Sequence, residues 1–151
     1  MKLENLEFKL VSATDWPELQ VLYRHLQPED PILEDGSDHR TFLDILRSDH
    51  FFLLGAYEAA KLLACTYINI VPNISRGASP YAVIENVVTH NEYQNHGIGK
   101  ALMRETLLFI WDKGCYKAML MTGSKQVSTH AFYRNSGFDG DAKFAYVAYP
   151  K

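Results

Sequence analysis

Cysteine and clustered positive charge are both scarce in this sequence. Its 151 residues include two cysteines, Cys65 and Cys115, which form neither a disulfide framework nor a metal-ligand spacing. This scarcity favours a reduced, cytoplasmic setting. Lysine and arginine total 15 against 18 aspartates and glutamates, giving a formal net charge of −3. Because no basic run is present, we do not expect nucleic acid as the main partner, since binding a polyanion normally needs a clustered basic face.

Long apolar runs are also missing. No run approaches the ~20 residues that a helix needs to span a bilayer. The N-terminal stretch MKLENLEFKL lacks the apolar core of a signal peptide. The sequence therefore gives no reason to expect a membrane as a partner.

The length and the 47% hydrophobic content suit one compact domain over residues 1–151. Apolar periodicity and turn residues predict the element order β-α-α-β-β-β-α-β-α-β. Three consecutive strands indicate an antiparallel meander, and the later β-α-β step indicates a parallel crossover. We therefore expect a single α/β domain with a mixed central β-sheet and helices on both faces. The predicted strands cover residues 6–11, 51–57, 62–71, 81–89, 116–122 and 142–150.

The stretch VVTHNEYQNHGIGKALM carries a glycine-rich turn between a predicted strand and a predicted helix. A P-loop does not fit, because Gln94 stands at its first glycine and Ala101 at its hydroxyl position. A dinucleotide fingerprint does not fit either, because Leu102 stands at its third glycine. The pattern Gln/Arg-x-x-Gly-x-Gly/Ala does fit, with Gln94, Gly97 and Gly99. Free N–H groups and the helix dipole favour a phosphate at such a turn, although glycine can also serve backbone geometry alone.

This turn resembles motif A of the GNAT superfamily of N-acetyltransferases, in which it binds the pyrophosphate of acetyl-CoA. The later stretch HAFYRNSGF resembles motif B of the same superfamily, whose pattern F-Y-x-x-x-G-F it matches. Within the superfamily, the sequence resembles the small glucosamine-6-phosphate N-acetyltransferases, with which it shares GCYK after the long helix. It departs from them where Asn86 replaces an acidic residue, where Thr129 replaces an asparagine and where MTGSKQ replaces an acidic turn.

The resemblance implies an enzyme that uses acetyl-CoA as co-substrate and moves its acetyl group to a primary amine by direct attack on the thioester. It assigns Tyr133 as the general acid for the leaving thiol. It also assigns the backbone N–H of Val87 as the oxyanion donor, because family members often break the strand ladder here. The residues that we expect to bind acetyl-CoA are Val87, Val88, Gln94, Asn95, His96, Gly97, Ile98, Gly99, Lys100, Thr129 and Phe132.

Glu85 is an ionisable group inside an apolar strand, and burial would raise its pKa towards the range useful for a general base. The alternative is a carboxylate on a wet patch of the sheet, since a strand exposes alternate residues. The alternative to a catalytic role for Tyr133 is that of an aromatic side chain that only packs within a helix. Asn86 and Lys143 are the residues that we expect to contact the acceptor, and a solvated lysine is the alternative at position 143.

The acceptor is expected to be a small-molecule amine. A protein N-terminus or lysine is the runner-up, and an acyl-CoA-binding module without turnover is an alternative of another class. His90, His96 and His130 show no metal-ligand spacing with one another, so we expect no bound metal. A homodimer is expected, because small GNAT proteins often pair through their last strands and KFAYVAYP is apolar enough to seek a partner.

Overall fold

The computed structural model of the chain describes residues 3–151 and divides into two compact units. The first unit ends at Leu120, and the second is Met121–Lys151. The first unit contains the stretch that resembles motif A, and the second unit contains the stretch that resembles motif B. A single domain over residues 1–151 stays a prediction.

Five strands form one sheet in the first unit, in the order β1-β2-β3-β4-β5. Strands β1 to β4 pair antiparallel with their neighbours, whereas β5 pairs parallel with β4. The predicted meander and the predicted parallel crossover are therefore both confirmed. The strands are β1 (Glu7–Leu10), β2 (Phe51–Glu58), β3 (Lys61–Val71), β4 (Tyr81–Thr89) and β5 (Ala118–Leu120).

Helices cover both faces of this sheet, as predicted. On one face, a buried cluster joins Leu22 of α1 and Phe42 of α2 to Cys65 of β3. On the other face, Thr66 of β3 and Thr106 of α4 are fully buried, and their hydroxyl groups hydrogen-bond at 2.9 Å. Successive residues of a strand point to opposite faces, so these contacts fix the two helix layers. The helices are α1 (Trp16–Leu26), α2 (Ser37–Arg47), the short α3 (Ser75–Ala78), α4 (Ile98–Asp112) and, in the second unit, α5 (Val127–Asn135).

Two carboxylates tie the start of α1 to the sheet. Asp15 accepts a hydrogen bond from the Tyr57 hydroxyl at 3.0 Å, and Glu18 accepts one from the backbone N–H of Leu62 at 2.9 Å. Tyr57 and Leu62 belong to the β2–β3 hairpin and are buried. The position of α1 over the sheet is therefore fixed by charge-assisted hydrogen bonds as well as by its apolar face.

The predicted last strand over residues 142–150 is wrong. This segment of the second unit has no regular secondary structure, and Phe144 and Tyr146 are 89% and 93% exposed. An alternation of apolar residues indicates only that a segment would suit a half-buried strand. A strand also needs a neighbouring edge for its backbone N–H and C=O groups, and the sheet contains no residue of this segment.

Within residues 3–151, no helix combines the length and the apolarity that crossing a membrane requires. The same residues contain no group of three or more His, Cys, Asp or Glu side chains placed to hold a metal ion. Cys65 and Cys115 are free and buried. Burial raises the pKa of both thiols above the ordinary value, so both cysteines act as packing residues.

Candidate active site

A bulge interrupts the ladder between β3 and β4. Cys65 pairs with Val88 and Tyr67 pairs with Glu85, so Asn86 and Val87 together lie opposite Thr66 alone. Asn86 has a φ of +49°, in the left-handed region that most residues avoid. A bulge of this kind removes residues from the regular ladder and changes the direction of the strand. The break that the resemblance implied at Val87 is therefore present, while the oxyanion role of its N–H stays a prediction.

The pairing between β4 and β5 ends next to this bulge. The parallel ladder runs from Ala82↔Ala118 to Ile84↔Leu120 and is not continued along β4 within the first unit. In this unit, residues 85–89 of β4 therefore have an edge that β5 does not cover. An uncovered strand edge can hydrogen-bond an extended chain that carries amide groups, as in the addition of a strand to a sheet. The pantetheine part of acetyl-CoA is such a chain.

The glycine-rich turn leads into α4. Gly97 precedes the helix with a φ of +83°, and a Cβ there would lie 3.3 Å from the Leu3 side chain. The N–H of Ala101 is bonded to the Gly97 carbonyl at 3.0 Å. The N–H groups of residues 98–100 precede it and have no carbonyl one turn earlier within the helix. With no acidic residue in the first turn of α4, this end of the helix suits a phosphate.

The Gln94 side chain has a structural role that the motif alone did not reveal. Its amide nitrogen donates to the Thr89 carbonyl at 3.3 Å and to the Asn91 side-chain oxygen at 3.1 Å. A ring nitrogen of His96 lies 2.7 Å from the Gln94 carbonyl. Gln94 thereby ties the turn to the end of β4. A contact of Gln94 with acetyl-CoA stays a prediction.

Glu85 lies on the sheet face that α1 and α2 cover. Residues that pair directly in an antiparallel ladder point to the same face, and Tyr67, the partner of Glu85, packs against the cluster beneath these helices. Glu85 is nevertheless only half-buried. The sheet face at Glu85 is therefore covered, while the carboxylate stays within reach of solvent. Its role as base stays a prediction.

Tyr23 of α1 is a residue at this site that the sequence did not identify. Its ring packs against the buried cluster that contains Cys65 of β3 and Val88 of β4. Burial, and after it the nearby Cys65, raise the pKa of Tyr23 well above the ordinary value. Burial likewise raises the pKa of Tyr67. In the sequence, Tyr23 was one more apolar-face residue of a helix, and no local pattern indicated its contact with β4.

Motif B forms the end of α5 in the second unit. Gly137 has a φ of +97°, and its N–H donates to the Arg134 carbonyl at 3.0 Å. The N–H of Phe138 donates to the Tyr133 carbonyl at 3.1 Å, and the two rings lie 6.2 Å apart. This is the Schellman arrangement, with its usual apolar contact across the helix end. The spacing Tyr-x-x-x-Gly-Phe therefore has a structural cause besides any catalytic one.

The predicted site residues divide between the units. The first unit contains Glu85–Val88 at the bulge and Gln94–Lys100 at the turn. Thr129, Phe132 and Tyr133 lie on α5 of the second unit, and Lys143 lies in its exposed segment after that helix. Thr129 accepts a hydrogen bond from Ser124 at 3.2 Å, and the rings of Phe132 and Tyr133 are 5.1 Å apart. The contacts of these four residues with acetyl-CoA or an acceptor stay predictions.

Comparisons with known proteins identify the family. The family model described as "Acetyltransferase (GNAT) family" matches residues 18–138. The chain is 33% identical to a proposed acetyltransferase from Agrobacterium tumefaciens str. C58, whose solved structure it matches over 95% of this chain and 99% of that one with a TM-score of 0.88. It is also 26% identical to the glucosamine 6-phosphate N-acetyltransferase of Trypanosoma brucei brucei over 136 residues, which is 89% of each chain.

A further solved structure shares the fold. It is an aminoglycoside acetyltransferase from an uncultured soil metagenomic sample in complex with sisomicin, 17% identical, with a TM-score of 0.81 over 98% of this chain and 97% of that one. The five-stranded mixed sheet with helices on both faces is thus the fold of these acetyltransferases. The chain belongs to the GNAT acetyltransferase family, and it is an N-acetyltransferase that uses acetyl-CoA.

Proposed function

We propose that this chain transfers the acetyl group of acetyl-CoA to a primary amine of a small molecule by direct attack of the amine on the thioester. The observation that carries this proposal is that three features of the first unit follow one another along the chain: the end of the β4–β5 pairing, the bulge and the turn before α4. The bulge at Asn86 and Val87 lies where the β4–β5 pairing ends at Ile84, and β4 then continues into the turn before α4. A strand edge for an amide chain and a helix start for a phosphate therefore lie on one continuous segment.

The amine nitrogen bonds to the thioester carbonyl carbon, the C–S bond breaks, and CoA leaves as a thiol. In this proposal the N–H groups of residues 97–100 hold the pyrophosphate, and the Val87 N–H stabilises the negative charge that develops on the carbonyl oxygen. Glu85 accepts the ammonium proton directly or through a water molecule, and Tyr133, on the strength of motif B, donates a proton to the sulfur.

The remaining predicted residues have supporting roles in the proposal. Asn86 and Lys143 contact the acceptor. The other residues assigned to acetyl-CoA are Val88, Gln94, Asn95, His96, Thr129 and Phe132.

A small-molecule acceptor is supported by the relatives. One is named for glucosamine 6-phosphate, and another is solved in complex with sisomicin. Asn86 replaces the acidic residue that the small glucosamine-6-phosphate enzymes carry after Ile-Glu, so this chain and those enzymes differ at the centre of the site. We therefore propose an amino sugar or a similar polar amine as the acceptor, and an assay must separate the phosphorylated from the unphosphorylated sugar.

The proposal extends to a cytoplasmic homodimer. Two free, buried cysteines suit a reducing compartment. Phe144, Tyr146 and Tyr149 of the second unit are each more than 80% exposed, and such an apolar segment favours association. Light scattering coupled to size exclusion at micromolar concentration is expected to give the dimer mass. A monomer mass across that range would contradict this part of the proposal.

The experiment that tests the function is a free-thiol assay with acetyl-CoA and a panel of amines. The panel contains glucosamine, glucosamine 6-phosphate, an aminoglycoside, a polyamine, and peptides with a free N-terminus or lysine. We expect thiol release above the amine-free control with an amino sugar or aminoglycoside. Thiol release with the peptides alone would indicate that the acceptor is a protein and not a small molecule. Tight acetyl-CoA binding with no release for any amine would favour a binding module and contradict the proposed turnover.

A further inference from the structure

Two imidazole rings meet where α1 and β4 both end. His25 lies in the last turn of α1, and His90 directly follows β4. The two ring centroids are 4.5 Å apart, the ring planes are inclined by 77°, and both side chains are half-buried. After His90, the chain passes through the short turn Asn91–Tyr93 and then into the glycine-rich turn before α4. The ring pair therefore adjoins the segment that we propose for the phosphates.

Each ring accepts a hydrogen bond from the backbone of this short turn. The Asn91 N–H donates to Nδ1 of His25 at 3.3 Å. The Glu92 N–H donates to Nδ1 of His90, also at 3.3 Å. A ring nitrogen can accept a hydrogen bond only when it carries no proton. Both rings are therefore neutral in this arrangement, with the proton on Nε2.

The short turn in turn holds the first residue of the glycine motif. The Gln94 N–H donates to the Asn91 carbonyl at 3.4 Å, and the Gln94 side chain donates to the Asn91 side-chain oxygen at 3.1 Å. The Tyr93 N–H donates to the His90 carbonyl at 2.8 Å. A continuous series of hydrogen bonds therefore leads from His25 on α1 through Asn91 to Gln94.

His96, on the other side of Gln94, bonds in the opposite sense. Its Nδ1 lies 2.7 Å from the Gln94 carbonyl. A carbonyl oxygen only accepts, so this ring nitrogen carries a proton and donates. A second proton on the His96 ring leaves that bond intact. Protonation therefore breaks ring contacts at His25 and His90 but not at His96.

Charged groups from two other parts of the first unit face His90. Lys61 of β3 donates to the Tyr93 hydroxyl at 3.3 Å, and the Tyr93 ring lies 5.4 Å from the His90 ring. Burial, and after it the charge of His25, lower the pKa of His90 below its ordinary value. Glu92 opposes this shift, and Lys61 adds to it. Because the folded-state pKa is lowered, the stabilisation is present above the unfolded pKa of about 6.5 and is lost as the pH falls through the folded pKa.

We infer that His25 and His90 are positioning residues that, while both rings are neutral, hold the turn Asn91–Tyr93 and so keep the glycine-rich turn in the shape that receives the pyrophosphate. The inference rests on the proposed function, in which the N–H groups at the start of α4 hold that group. Neither ring takes part in the acetyl transfer. Protonation of either ring removes a hydrogen bond from the turn, so acid weakens acetyl-CoA binding through the backbone.

The direct test replaces both rings in the double variant His25→Asn and His90→Asn. Asparagine places a carbonyl oxygen where the imidazole has Nδ1, so it accepts the same N–H but does not titrate. Calorimetric titration gives the acetyl-CoA affinity. From pH ~7.5 to pH ~5.5, we expect this affinity to fall about tenfold for the unaltered protein and less than about threefold for the double variant. The residual change belongs to the phosphates of the ligand and to His96.

The matched control is His50→Asn. His50 is exposed and precedes β2, at the opposite end of the β2–β3 hairpin from Lys61. This variant should keep the about tenfold fall in acid, because the ring pair is unchanged. An equal pH dependence in the double variant and in His50→Asn would overturn the positioning role.

A single alanine variant separates positioning from packing. His25→Ala removes the acceptor of the Asn91 N–H at every pH. At pH ~7.5, we expect the KM for acetyl-CoA to rise about fivefold and kcat at saturating acetyl-CoA to stay within about twofold. His25→Asn should restore the KM, because its carbonyl oxygen accepts the same N–H. A KM unchanged in His25→Ala, with only a lower melting temperature, would reduce His25 to a packing residue and overturn the inference.

A readout without acetyl-CoA distinguishes failure of this inference from failure of the proposed function. Long-range ¹H–¹⁵N spectra of the histidine rings should show an unprotonated Nδ1 for His25 and His90 at neutral pH. Acid should move the amide resonances of Asn91 and Glu92 in the unaltered protein more than in the double variant. A protonated Nδ1 on either ring would overturn the inference. Absence of acetyl-CoA binding to the unaltered protein would instead overturn the proposed function, while the spectra would still decide the state of the rings.

Discussion

Helices α2 and α4 begin in the same way but satisfy their first N–H groups differently. Each follows a left-handed glycine, Gly36 with a φ of +69° and Gly97 with a φ of +83°. At α2, the Ser37 N–H donates to the Asp35 carboxylate at 2.9 Å and the His39 N–H donates to Asp38 at 2.8 Å. The first turn of α4 carries no acidic residue.

The comparison teaches what separates a structural helix start from a binding one. At α2, the chain supplies the negative charge that the dipole and the free N–H groups favour. At α4, the same backbone geometry is left for an anion from outside, and Lys100 in the first turn adds positive charge. The glycine is therefore not the distinguishing signal. The distinguishing signal is the absence of a carboxylate beside that glycine.

The largest expected effect comes from giving α4 the carboxylate that α2 has. Gly99→Asp places an acid at the second position of α4, and Asp38 occupies the same position of α2. We expect acetyl-CoA binding to weaken about 100-fold, because the carboxylate competes with the phosphates for the same N–H groups and repels them. The melting temperature should not fall, since an acid at a helix start is stabilising. Calorimetric titration and thermal unfolding measure the two quantities.

The matched control is Gly99→Asn, which adds a side chain of the same shape without the charge. We expect it to weaken acetyl-CoA binding about tenfold, through crowding of the backbone approach alone. Equal losses for the two variants would show that size rather than charge decides binding at α4, and the comparison with α2 would fail.

A second prediction separates binding at α4 from chemistry in motif B. Tyr133→Phe keeps the aromatic packing and removes the hydroxyl. Its kcat should fall about 100-fold, as for loss of a general acid, while acetyl-CoA binds as before. Stopped-time thiol assays give kcat, and the titration above gives the affinity. Unchanged turnover would remove Tyr133 from the mechanism.

A third prediction concerns how α4 is held on the sheet. Thr106→Val leaves the buried Thr66 hydroxyl without its partner at 2.9 Å. We expect a loss of about 1–3 kcal/mol in the free energy of unfolding, the cost of an unsatisfied buried polar group. The double variant with Thr66→Val should recover most of that loss, because both hydroxyl groups are then gone. Urea unfolding checks the pair, and equal losses in the single and double variants would contradict the argument.

The smallest expected effect lies at α2. Hydrogen bonds from Ser37, first from its side chain and then from its backbone, lower the pKa of Asp35 below its ordinary value. A lowered pKa in the folded state means that the stabilisation is present above the unfolded pKa of about 4 and is lost as the pH falls through the folded pKa. Asp35→Asn should therefore be slightly less stable than the original at pH 7, and the difference should shrink below pH ~4. A difference that grows in acid would contradict this assignment.

Local pattern was enough to predict most of the fold and the turn. The strands β1 to β5 and the long helix after Gly97 follow from periodicity and turn residues, because these signals report how the chain interacts with itself over a few residues. The motif B spacing is local in the same sense, since Gly137 and Phe138 close the helix that carries Tyr133. The predicted last strand failed because a strand depends on an edge elsewhere.

The bulge could not be predicted from pattern for a related reason. The asparagine in the stretch IENVV tolerates a left-handed conformation better than most residues, but it does not by itself distinguish a regular strand from one that turns left-handed at Asn86. Tyr23, which packs against the buried cluster containing Val88 beside this turn, belongs to a helix that is distant in the sequence. The resemblance predicted a break in the ladder at Val87, whereas the left-handed conformation of Asn86 is known only from the three-dimensional structure.

The measurement that tests the central claim most directly compares the binding of acetyl-CoA and S-acetylpantetheine to the unaltered protein. S-acetylpantetheine carries the thioester and the amides but lacks the pyrophosphate and the 3′-phosphoadenosine. If the start of α4 is an anion site, acetyl-CoA should bind at least about 100-fold more tightly, and Gly99→Asp should weaken acetyl-CoA binding while leaving that of S-acetylpantetheine unchanged. Equal affinities for the two ligands would contradict the account.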